Sequence, residues 1–296
     1  MKQQFFFSIV TPVYNRADLV GETIQSVLAQ DYPHFEYILV DDKSTDNSLE
    51  VLEKYAAADS RLKLVKLNEN QGRCIARNKG VEQASGEWIC YLDSDDFYHT
   101  NHLSTLSHLI HLNPDVRAFA TEQTWNKQPK PYNNKRHLEN NVMLSIEDFI
   151  SSNPISSNQL CFHHSLKTRW INERLPIAED WLYLRQLAIE TPILKTRTVT
   201  TDVRIHDGRS LDQTDVETFV KWNLYAAQKF IDAEKAGLSL RTINKVQSFV
   251  LLLCANVLLN AKKKKEGAVL FKKSFRYPIT FTHPLFFKAL IKLILS

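Results

Sequence analysis

Trp88-Ile89-Cys90-Tyr91-Leu92 runs directly into Asp93-Ser94-Asp95-Asp96, and the interpretation of the whole chain depends on this stretch. The apolar residues predict a buried strand, and three carboxylates follow its end. Carboxylates crowded at one point repel one another, so a compensating charge is expected. A hard divalent cation with oxygen ligands meets that need, and Mg²⁺ leaves coordination positions open for phosphate oxygens. A solvated acidic turn is the alternative, and the remainder of the chain has to decide between them.

Three further strands precede this one, each followed by a polar joint and a helix. Strands are predicted at 5–10, 37–40 and 62–67, and helices at 18–30, 47–58 and 73–84. This alternation is typical of an α/β fold with a parallel sheet flanked by helices. The carboxyl ends of parallel strands share one edge, where such sheets carry their sites. Polar residues follow the ends of all three earlier strands, namely Thr11, Asp41-Asp42 and the loop 68–72. This placement favours a shared polar site over a solvated acidic turn at 93–96.

Composition and charge narrow the class of protein. The chain has 296 residues, 44% of them hydrophobic, and a formal charge of +4. Residues 241–296 contain 11 Lys and Arg against one Glu, a net +10, so the first 240 residues carry −6. The four cysteines form no C-x-x-C pair, which favours reduced thiols and a cytoplasmic protein. We predict no secretory signal, because Pro12 interrupts the apolar start, and no helix long enough to span a bilayer.

The sequence lacks the glycine-rich motifs of other phosphate-binding sites. The chain has no G-x-G-x-x-G after the first strand and no P-loop sequence, and only seven glycines in all. A metal and basic side chains are therefore expected to hold any phosphate. Two histidine pairs, His99-x-x-His102 and His163-His164, suggest metal ligands, but both are more readily interpreted as structural.

The second half of the chain is less regular. We predict helices near 103–110 and 145–151, an exposed loop at 128–139, and a strand at 199–205 that ends before His206. Glu179-Asp180 is at the start of a predicted helix, where the helix dipole favours carboxylates. These two residues are therefore candidates for a site, with simple helix capping as the alternative. The residues beyond 213 are predicted to be helical. We divide the chain into a catalytic domain at 1–212 and a basic helical extension at 213–296.

Taken together, these stretches resemble family 2 glycosyltransferases over residues 5–210. The resemblance depends on five motifs: 10–15 (VTPVYN), 39–46 (LVDDKSTD), 70–80 (NQGRCIARNKG), 93–96 (DSDD) and Glu179-Asp180. It implies the GT-A fold, a Rossmann-like and mostly parallel sheet flanked by helices, here with a C-terminal helical extension. It also implies an inverting enzyme that uses a nucleotide-sugar, usually a UDP-sugar.

The resemblance also implies roles for single residues. Thr11 and Asp42 would meet the uracil and its ribose, with Asp41 supporting the loop, and Asp93 would contact the ribose. Asp95, within the D-x-D motif, would bind Mg²⁺ or Mn²⁺, and His206 with Ser210 resembles a late H-x-x-x-S element near the diphosphate. Asp180 would be the general base, with Glu179 and Trp181 near the acceptor, although Trp181 is equally compatible with a core position. The full implied set for the nucleotide-sugar is Thr11, Pro12, Tyr14, Asp41, Asp42, Arg73, Arg77, Asp93 and Ser94.

The chemistry of the residues agrees with this activity. A leaving diphosphate needs its charge neutralised, and an attacking hydroxyl needs a base, for which one carboxylate suffices in a single inverting displacement. The acceptor is expected to be a glycan or a lipid-linked saccharide in surface polysaccharide biosynthesis. The alternative is a catalytically inactive glycan-binding or scaffold protein of the same fold. A sugar nucleotidyltransferase is disfavoured, because residues 11–16 are not a Gly-rich basic loop, and no nucleic-acid partner is expected.

The basic, apolar C-terminus predicts a further partner. Lysines interleaved with aliphatic and aromatic residues are typical of a helix that lies on the inner face of a cytoplasmic membrane. The apolar residues that we expect to insert are Phe286, Phe287, Leu290, Ile291 and Leu293 to Leu295, with Lys288 and Lys292 reaching the interface. Packing on the catalytic domain or against a second copy of the chain is the alternative.

Overall fold

The structure is a computed structural model that describes residues 4–126, 141–206, 214–234 and 237–295. The predicted loop at 128–139 and Ser210 lie outside these residues. Two compact units are present. The first comprises residues 1–145, 155–174 and 187–207, and the second comprises 146–154, 175–186 and 208–296. The division at residue 212 stays a prediction.

In its described residues the first unit contains one sheet flanked by helices. Over the described residues the strands are β1 (Phe7–Val13), β2 (Phe35–Asp41), β3 (Leu62–Lys66), β4 (Trp88–Tyr91), β5 (Phe97–Tyr98), β6 (Ala118–Asn126), β7 (Val142–Leu144), β8 (Leu160–His163) and β9 (Ile193–Arg204). The helices are α1 (Val20–Leu28), α2 (Ser48–Ala58), α3 (Arg73–Glu82), α4 (His102–Leu112) and the end of α6 (Glu179–Glu190). A 3-10 turn, Ser157–Gln159, precedes β8.

The strand order is β3-β2-β1-β4-β8-β6-β9-β5, with β7 paired to β9. The four strands β3, β2, β1 and β4 are mutually parallel, as the alternation in the sequence predicts. β1 and β2 are buried along their whole length, because helices cover both faces and the strands are continuous apolar runs. Each of the first three predicted helices is observed within three residues of its expected bounds.

The other half of the sheet is mixed. β8 is antiparallel to β4 and to β6, and β9 is parallel to β6 but antiparallel to β5 and β7. β9 begins at Ile193, six residues earlier than the sequence predicts. Its alternating Thr and Arg residues mask the strand, although most of its side chains are buried.

Close packing explains one glycine of the motif at 70–80. A Cβ built on Gly80 would lie 2.3 Å from Val10 Cγ1 and 3.2 Å from Val40 Cγ2. Helix α3 therefore rests directly on β1 and β2, which a larger residue would prevent. This contact sets the height of α3 above the sheet, and with it the position of Arg77 on the same helix.

The second unit is helical. It contains α5 (Ile146–Ile150), the start of α6, α7 (Val216–Glu234), α8 (Leu240–Asn260), α9 (Lys264–Ser274), a 3-10 turn at Pro278–Thr282, and α10 (Pro284–Leu295). Leu252 and Ala255 of α8 form a buried cluster with Phe271 of α9 and Ala289 of α10. The basic extension therefore has an apolar core of its own.

Helix α8 corrects one prediction. It has 21 residues and a mean hydropathy of 1.5 over its most apolar window, which is enough by length and composition to cross a membrane. The helix begins at Leu240, because Ser239 caps it by accepting a hydrogen bond from the Thr242 N–H. In the structure 56% of that window is buried, and a core helix of a soluble protein passes the same test.

Helix α10 corrects another. Phe286, Leu290 and Leu293, which we expected to face a membrane, pack against the buried cluster of α8 and α9. The Lys292 ammonium lies 3.1 Å from Asn256 Oδ1 on α8 instead of turning outward. The exposed face carries Phe287, Ile291 and Ile294. These residues are spaced four and three apart, so they share one stripe of the helix.

Candidate active site

The parallel register brings the predicted residues to one edge. β1 pairs with β2 up to Val13 and Asp41, and β4 runs beside β1 up to Val10 and Tyr91. The backbone continues the pairing past both strands, since the Asp42 N–H donates to Val13 O at 2.8 Å and the Leu92 N–H to Val10 O at 3.1 Å. The loops after β1, β2 and β4 consequently leave the sheet side by side.

The loop after β1 aims an arginine at the acidic motif. Asn15 adopts a φ of 52°. Its side-chain oxygen accepts from the Thr45 N–H at 2.8 Å, and the Arg16 N–H donates to Ser48 Oγ at 2.7 Å. Arg16 Nε then lies 3.3 Å from Asp95 Oδ2. Sequence reasoning missed Arg16, although it directly follows the quoted motif at 10–15. Tyr14 beside it is 40% exposed, which suits a residue that meets a ligand.

The same oxygen of Asp95 also meets a histidine. His206 Nε2 lies 3.1 Å from Asp95 Oδ2, although the two residues are 111 positions apart. The structure thus brings together the two predicted metal ligands. Among the described residues no group of three His, Cys, Asp or Glu side chains is placed to hold a metal ion. A cation at Asp95 and His206 would therefore need further oxygen ligands, and a diphosphate supplies such oxygens.

Asp42 organises the loop before α3. Its carboxylate accepts hydrogen bonds from the N–H groups of Gln71 at 2.7 Å and Gly72 at 2.8 Å, and it is almost fully buried. Burial raises the pKa of Asp42, although these two hydrogen bonds favour its charged form. Thr11 is also buried, and its hydroxyl lies 2.9 Å from the Tyr37 hydroxyl.

The remaining predicted donor residues line the same edge. Asp41 accepts a hydrogen bond from the Ser44 N–H at 3.3 Å, within the loop that follows β2. Pro12 is buried within β1 and Arg73 opens α3. The carbonyl of Ser94 accepts a hydrogen bond from Thr23 Oγ1 at 3.1 Å, which ties the acidic loop to α1.

Arg77 links helix α3 to the acidic motif. Its guanidinium pairs with Asp93 at 2.6 Å, and its central carbon lies 4.1 Å from the centre of the Trp170 ring. Arg77 is 1% exposed while Asp93 is 33% exposed. A buried cation that stacks on an indole and meets a half-exposed carboxylate holds that carboxylate in place. Asp93 is thereby presented to whatever occupies the edge.

Asp96 is structural. Its carboxylate accepts hydrogen bonds from the Arg204 N–H at 2.9 Å and from the Asn158 amide. Burial, together with the nearby charges of Asp95 and Asp93, raises its pKa well above the ordinary value. Asn158 Oδ1 also accepts from the Asp93 N–H at 2.8 Å. Asn158 and Arg204 therefore hold the acidic loop from two sides, and no motif in the sequence pointed to either.

The second unit holds the other predicted residues. Glu179 and Asp180 form the first turn of α6, after Ala178 with a φ of 67°. Glu179 is buried and Asp180 is partly buried. Trp181 is 6% exposed, packed under the Arg185 guanidinium at 3.8 Å and against Phe230. The structure thus places Trp181 in a core, and the roles of all three residues stay predictions.

The histidine pairs have structural surroundings. His102 is fully buried and lies 2.7 Å from Thr200 Oγ1, and its ring stacks on Tyr98. Burial lowers the pKa of His102 to about 3, so the ring is neutral. His163 Nδ1 lies 2.7 Å from Ser165 Oγ at the exposed end of β8.

Comparison with known proteins identifies the family. The sequence model described as Glycosyl transferase family 2 matches residues 8–170. The putative teichuronic acid biosynthesis glycosyltransferase TuaG of Bacillus subtilis is 47% identical over 89 residues, 30% of this chain and 35% of that protein. The Escherichia coli UDP-Glc:alpha-D-GlcNAc-diphosphoundecaprenol beta-1,3-glucosyltransferase WfaP is 37% identical over 103 residues, 35% of this chain and 40% of that protein. The matched regions thus span little more than a third of these relatives.

Solved structures show the same fold. S. aureus TarS in complex with UDP-GlcNAc superposes with a TM-score of 0.63 and 18% identity, covering 97% of this chain and 89% of that one. The mannosyltransferase PcManGT from Pyrobaculum calidifontis, in complex with GDP-Man and Mn²⁺, gives a TM-score of 0.60 and 18% identity, with 99% and 88% covered. The predicted GT-A fold with a helical C-terminal region is confirmed.

Proposed function

Because the chain belongs to glycosyl transferase family 2, we propose that it is an inverting glycosyltransferase that moves a sugar from a UDP-sugar to a hydroxyl of a glycan or lipid-linked acceptor. The observation that carries this proposal is the cluster at the edge of the sheet. Three carboxylates lie at this edge. They are Asp93, which pairs with Arg77, Asp95, which lies beside His206, and Asp42, which accepts hydrogen bonds from the loop at 70–72. The names of TuaG and WfaP support a role in surface polysaccharide biosynthesis.

The described residues fit a divalent cation. Asp95 and His206 would hold Mg²⁺ or Mn²⁺ together with oxygens of the donor, and the ion would supply positive charge to the leaving diphosphate. Arg16 would add a second cation beside Asp95. Asp93, oriented by Arg77, would meet the ribose, and Asp42 would position the loop at 70–72 beside the uracil.

The metal is tested by removing Asp95. Asp95→Ala should abolish sugar transfer and the metal-dependent part of UDP binding, because metal ligation contributes several kcal/mol to the stabilisation of transition-state charge. Calorimetric titration of Mn²⁺ and UDP, with circular dichroism as the control for folding, measures this effect. Full activity of the wild type in excess EDTA would refute the proposal that transfer needs a divalent cation.

Asp180 is the proposed general base. Asp180→Asn keeps the size and hydrogen bonding of the side chain but cannot accept a proton, so transfer should slow by about 10²- to 10⁴-fold. UDP affinity should stay within about twofold, since the base acts on the acceptor and not on the donor. Transfer at the wild-type rate would leave Asp180 as a helix cap, and undiminished hydrolysis with no transfer would point to acceptor binding instead.

The proposal includes a place of action, the inner face of the cytoplasmic membrane. Helix α10 exposes Phe287, Ile291 and Ile294, which are 53%, 55% and 72% accessible, on a C-terminal segment of net charge +10. Apolar side chains beside lysines suit shallow insertion into anionic lipid, where each nearby cation contributes about 1 kcal/mol. A lipid-linked acceptor would be reached from there.

Co-sedimentation with vesicles tests this placement. The wild type should pellet with phosphatidylglycerol vesicles and not with phosphatidylcholine vesicles, and should be released by high salt. Replacing Phe287, Ile291 and Ile294 together by Ser should abolish pelleting. Val269→Ser, which removes an exposed apolar side chain from α9, is the matched control. Pelleting of the triple variant at the wild-type level would exclude α10 as the anchor.

A further inference from the structure

The segment 170–174 runs along helix α3 toward the start of that helix, and Trp170 anchors it to the middle of the helix. The Trp170 N–H donates to Asn78 Oδ1 at 3.0 Å, and Asn78 Nδ2 donates to Trp170 O at 2.9 Å. The Trp170 ring stacks on the Arg77 guanidinium at 4.1 Å. This end of the segment is therefore anchored to the same helix that positions Asp93. The other end continues toward the loop at 70–72.

At that loop, Arg174 lies directly over Gly72. A Cβ built on Gly72 would be 2.9 Å from Arg174 Cγ and 3.6 Å from Arg174 Cα. Gly72 has a φ of 90°, so glycine is favoured there both by the backbone and by this close approach. The N–H of Gly72 donates to the Asp42 carboxylate. Gly72 thus contacts both residues: Arg174 packs on its Cα, and Asp42 accepts a hydrogen bond from its N–H.

Arg174 is charged, exposed and close enough to act on Asp42. Its charge favours the ionised form of the Asp42 carboxyl group, and so lowers the pKa of that group against the larger effect of burial. The Arg174 side chain is exposed, in contrast to the buried Arg77. Because the guanidinium of Arg174 is already exposed, it can contact a ligand without first leaving a buried position.

The position of Arg174 relative to the sheet separates it from the proposed cation site. Asp42 follows β2 and Asp95 follows β4, and β1 lies between these two strands. Neighbouring strands are about 4.8 Å apart, so the two positions are offset by about 10 Å across the sheet. The Asp95 end is assigned to the diphosphate, which leaves the Asp42 end for the nucleoside.

We infer that Arg174 is a donor-binding residue whose guanidinium packs on the uracil and ribose of the nucleotide, opposite Asp42. The inference depends on the proposed UDP-sugar function and adds a residue that no motif contains. A planar guanidinium stacks on an aromatic base, and such contacts are worth about 1–3 kcal/mol per base, or about 5- to 150-fold in affinity. Lysine cannot reproduce the stacking, because its ammonium is compact and strongly hydrated.

Nucleotide titrations test this assignment. UDP with Mn²⁺ and uridine alone are titrated into the wild type, Arg174→Ala and Arg174→Lys, by calorimetry for UDP and ligand-detected NMR for uridine. Arg174→Ala should weaken both ligands by a similar factor of about 10, and Arg174→Lys should recover little of the loss. Arg169→Ala is the matched control, since Arg169 is exposed, lies five residues earlier and donates to Leu166 O and Thr168 O. It should bind both ligands like the wild type.

The outcomes separate this inference from the function on which it depends. Unchanged affinity of Arg174→Ala for both ligands overturns the inference. Weaker UDP binding with unchanged uridine binding also overturns it, because the contact would then be with the diphosphate. If the wild type binds neither UDP nor uridine, the proposed function fails first. Thermal melting of each variant shows whether the fold is intact, and Arg174→Gln replaces Arg174→Ala if that variant unfolds.

Discussion

Asn158 offers a stringent test of how the acidic loop is held. Its side chain is 3% exposed. Oδ1 accepts from the Asp93 N–H at 2.8 Å, and Nδ2 donates to the Asp96 carboxylate. The residue is fixed by the 3-10 turn Ser157–Gln159, whose capping box joins Ser156 and Gln159. Asn158 therefore determines the geometry of the loop from a rigid position.

Asn158→Leu keeps the approximate volume and removes both hydrogen bonds. A buried donor and a buried carboxylate oxygen each lose a partner, which costs about 1–3 kcal/mol per group, so the free energy of unfolding should fall by about 2–6 kcal/mol. The control is Asn113→Ala at the end of α4, where the amide donates to Leu109 O at 2.9 Å near solvent. Its cost should be about 1 kcal/mol or less.

The deficit should also depend on pH. Burial and the neighbouring carboxylates raise the pKa of Asp96 in the folded state, so the folded protein holds this proton more tightly than the unfolded chain does. Such a group favours folding at low pH, and its contribution to stability declines as pH rises above the unfolded pKa. Loss of the Asn158 donor raises that pKa further. The deficit of Asn158→Leu should therefore be larger at pH 8 than at pH 5.

Urea denaturation at pH 5 and pH 8, followed by circular dichroism and tryptophan fluorescence, measures both effects. The reasoning is refuted if Asn158→Leu unfolds at the wild-type midpoint, or if its deficit is the same at both pH values. A deficit in Asn113→Ala as large as that of Asn158→Leu would show that burial of the amide does not matter.

Three other perturbations follow from the structure. Glu36→Gln should destabilise the protein by about 3 kcal/mol at pH 7. Burial alone would raise the pKa of Glu36, but hydrogen bonds, led by the one from Lys63, lower that pKa to about 2. In acid titrations the difference in stability between wild type and variant should therefore vanish as the pH falls from 4.5 through 2. Gly80→Ala should cost about 1–3 kcal/mol in urea melts, because its Cβ would displace α3 from Val10, whereas Gly237→Ala, with its nearest atom at 3.8 Å, should cost little. Burial lowers the pKa of His102 to about 3, so the stability that its neutral ring contributes above pH 6.5 is lost as the pH falls toward 3, at about 1.4 kcal/mol per pH unit. His102→Phe should therefore reduce the dependence of the free energy of unfolding on pH, measured in melts between pH 6 and 4.

The amino-acid sequence alone determined the parallel half of the sheet and the residues at its edge. Strands such as Phe7–Val13 and Phe35–Asp41 are continuous apolar runs, and helices such as Val20–Leu28 have a regular apolar stripe. These are local patterns, and the geometry of parallel strands converts them into a shared edge without knowledge of the tertiary structure. The sequence therefore predicts that Asp42, Asp93 and Asp95 lie at one edge of the sheet, as the parallel register places them.

Tertiary structure alone decided what holds and surrounds those carboxylates. Arg16 meets Asp95 across 79 positions, Asn158 meets Asp93 across 65, and His206 meets Asp95 across 111. The contacts of Asn158 and His206 depend on the strand order through β4, β8, β6 and β9, where antiparallel and parallel pairs mix, whereas Arg16 reaches Asp95 from the loop after β1, the parallel neighbour of β4. Partners in a mixed sheet are chosen by long-range packing and leave no periodic signal in the chain. Arg174 shows the same point, since only its approach to Gly72 reveals it.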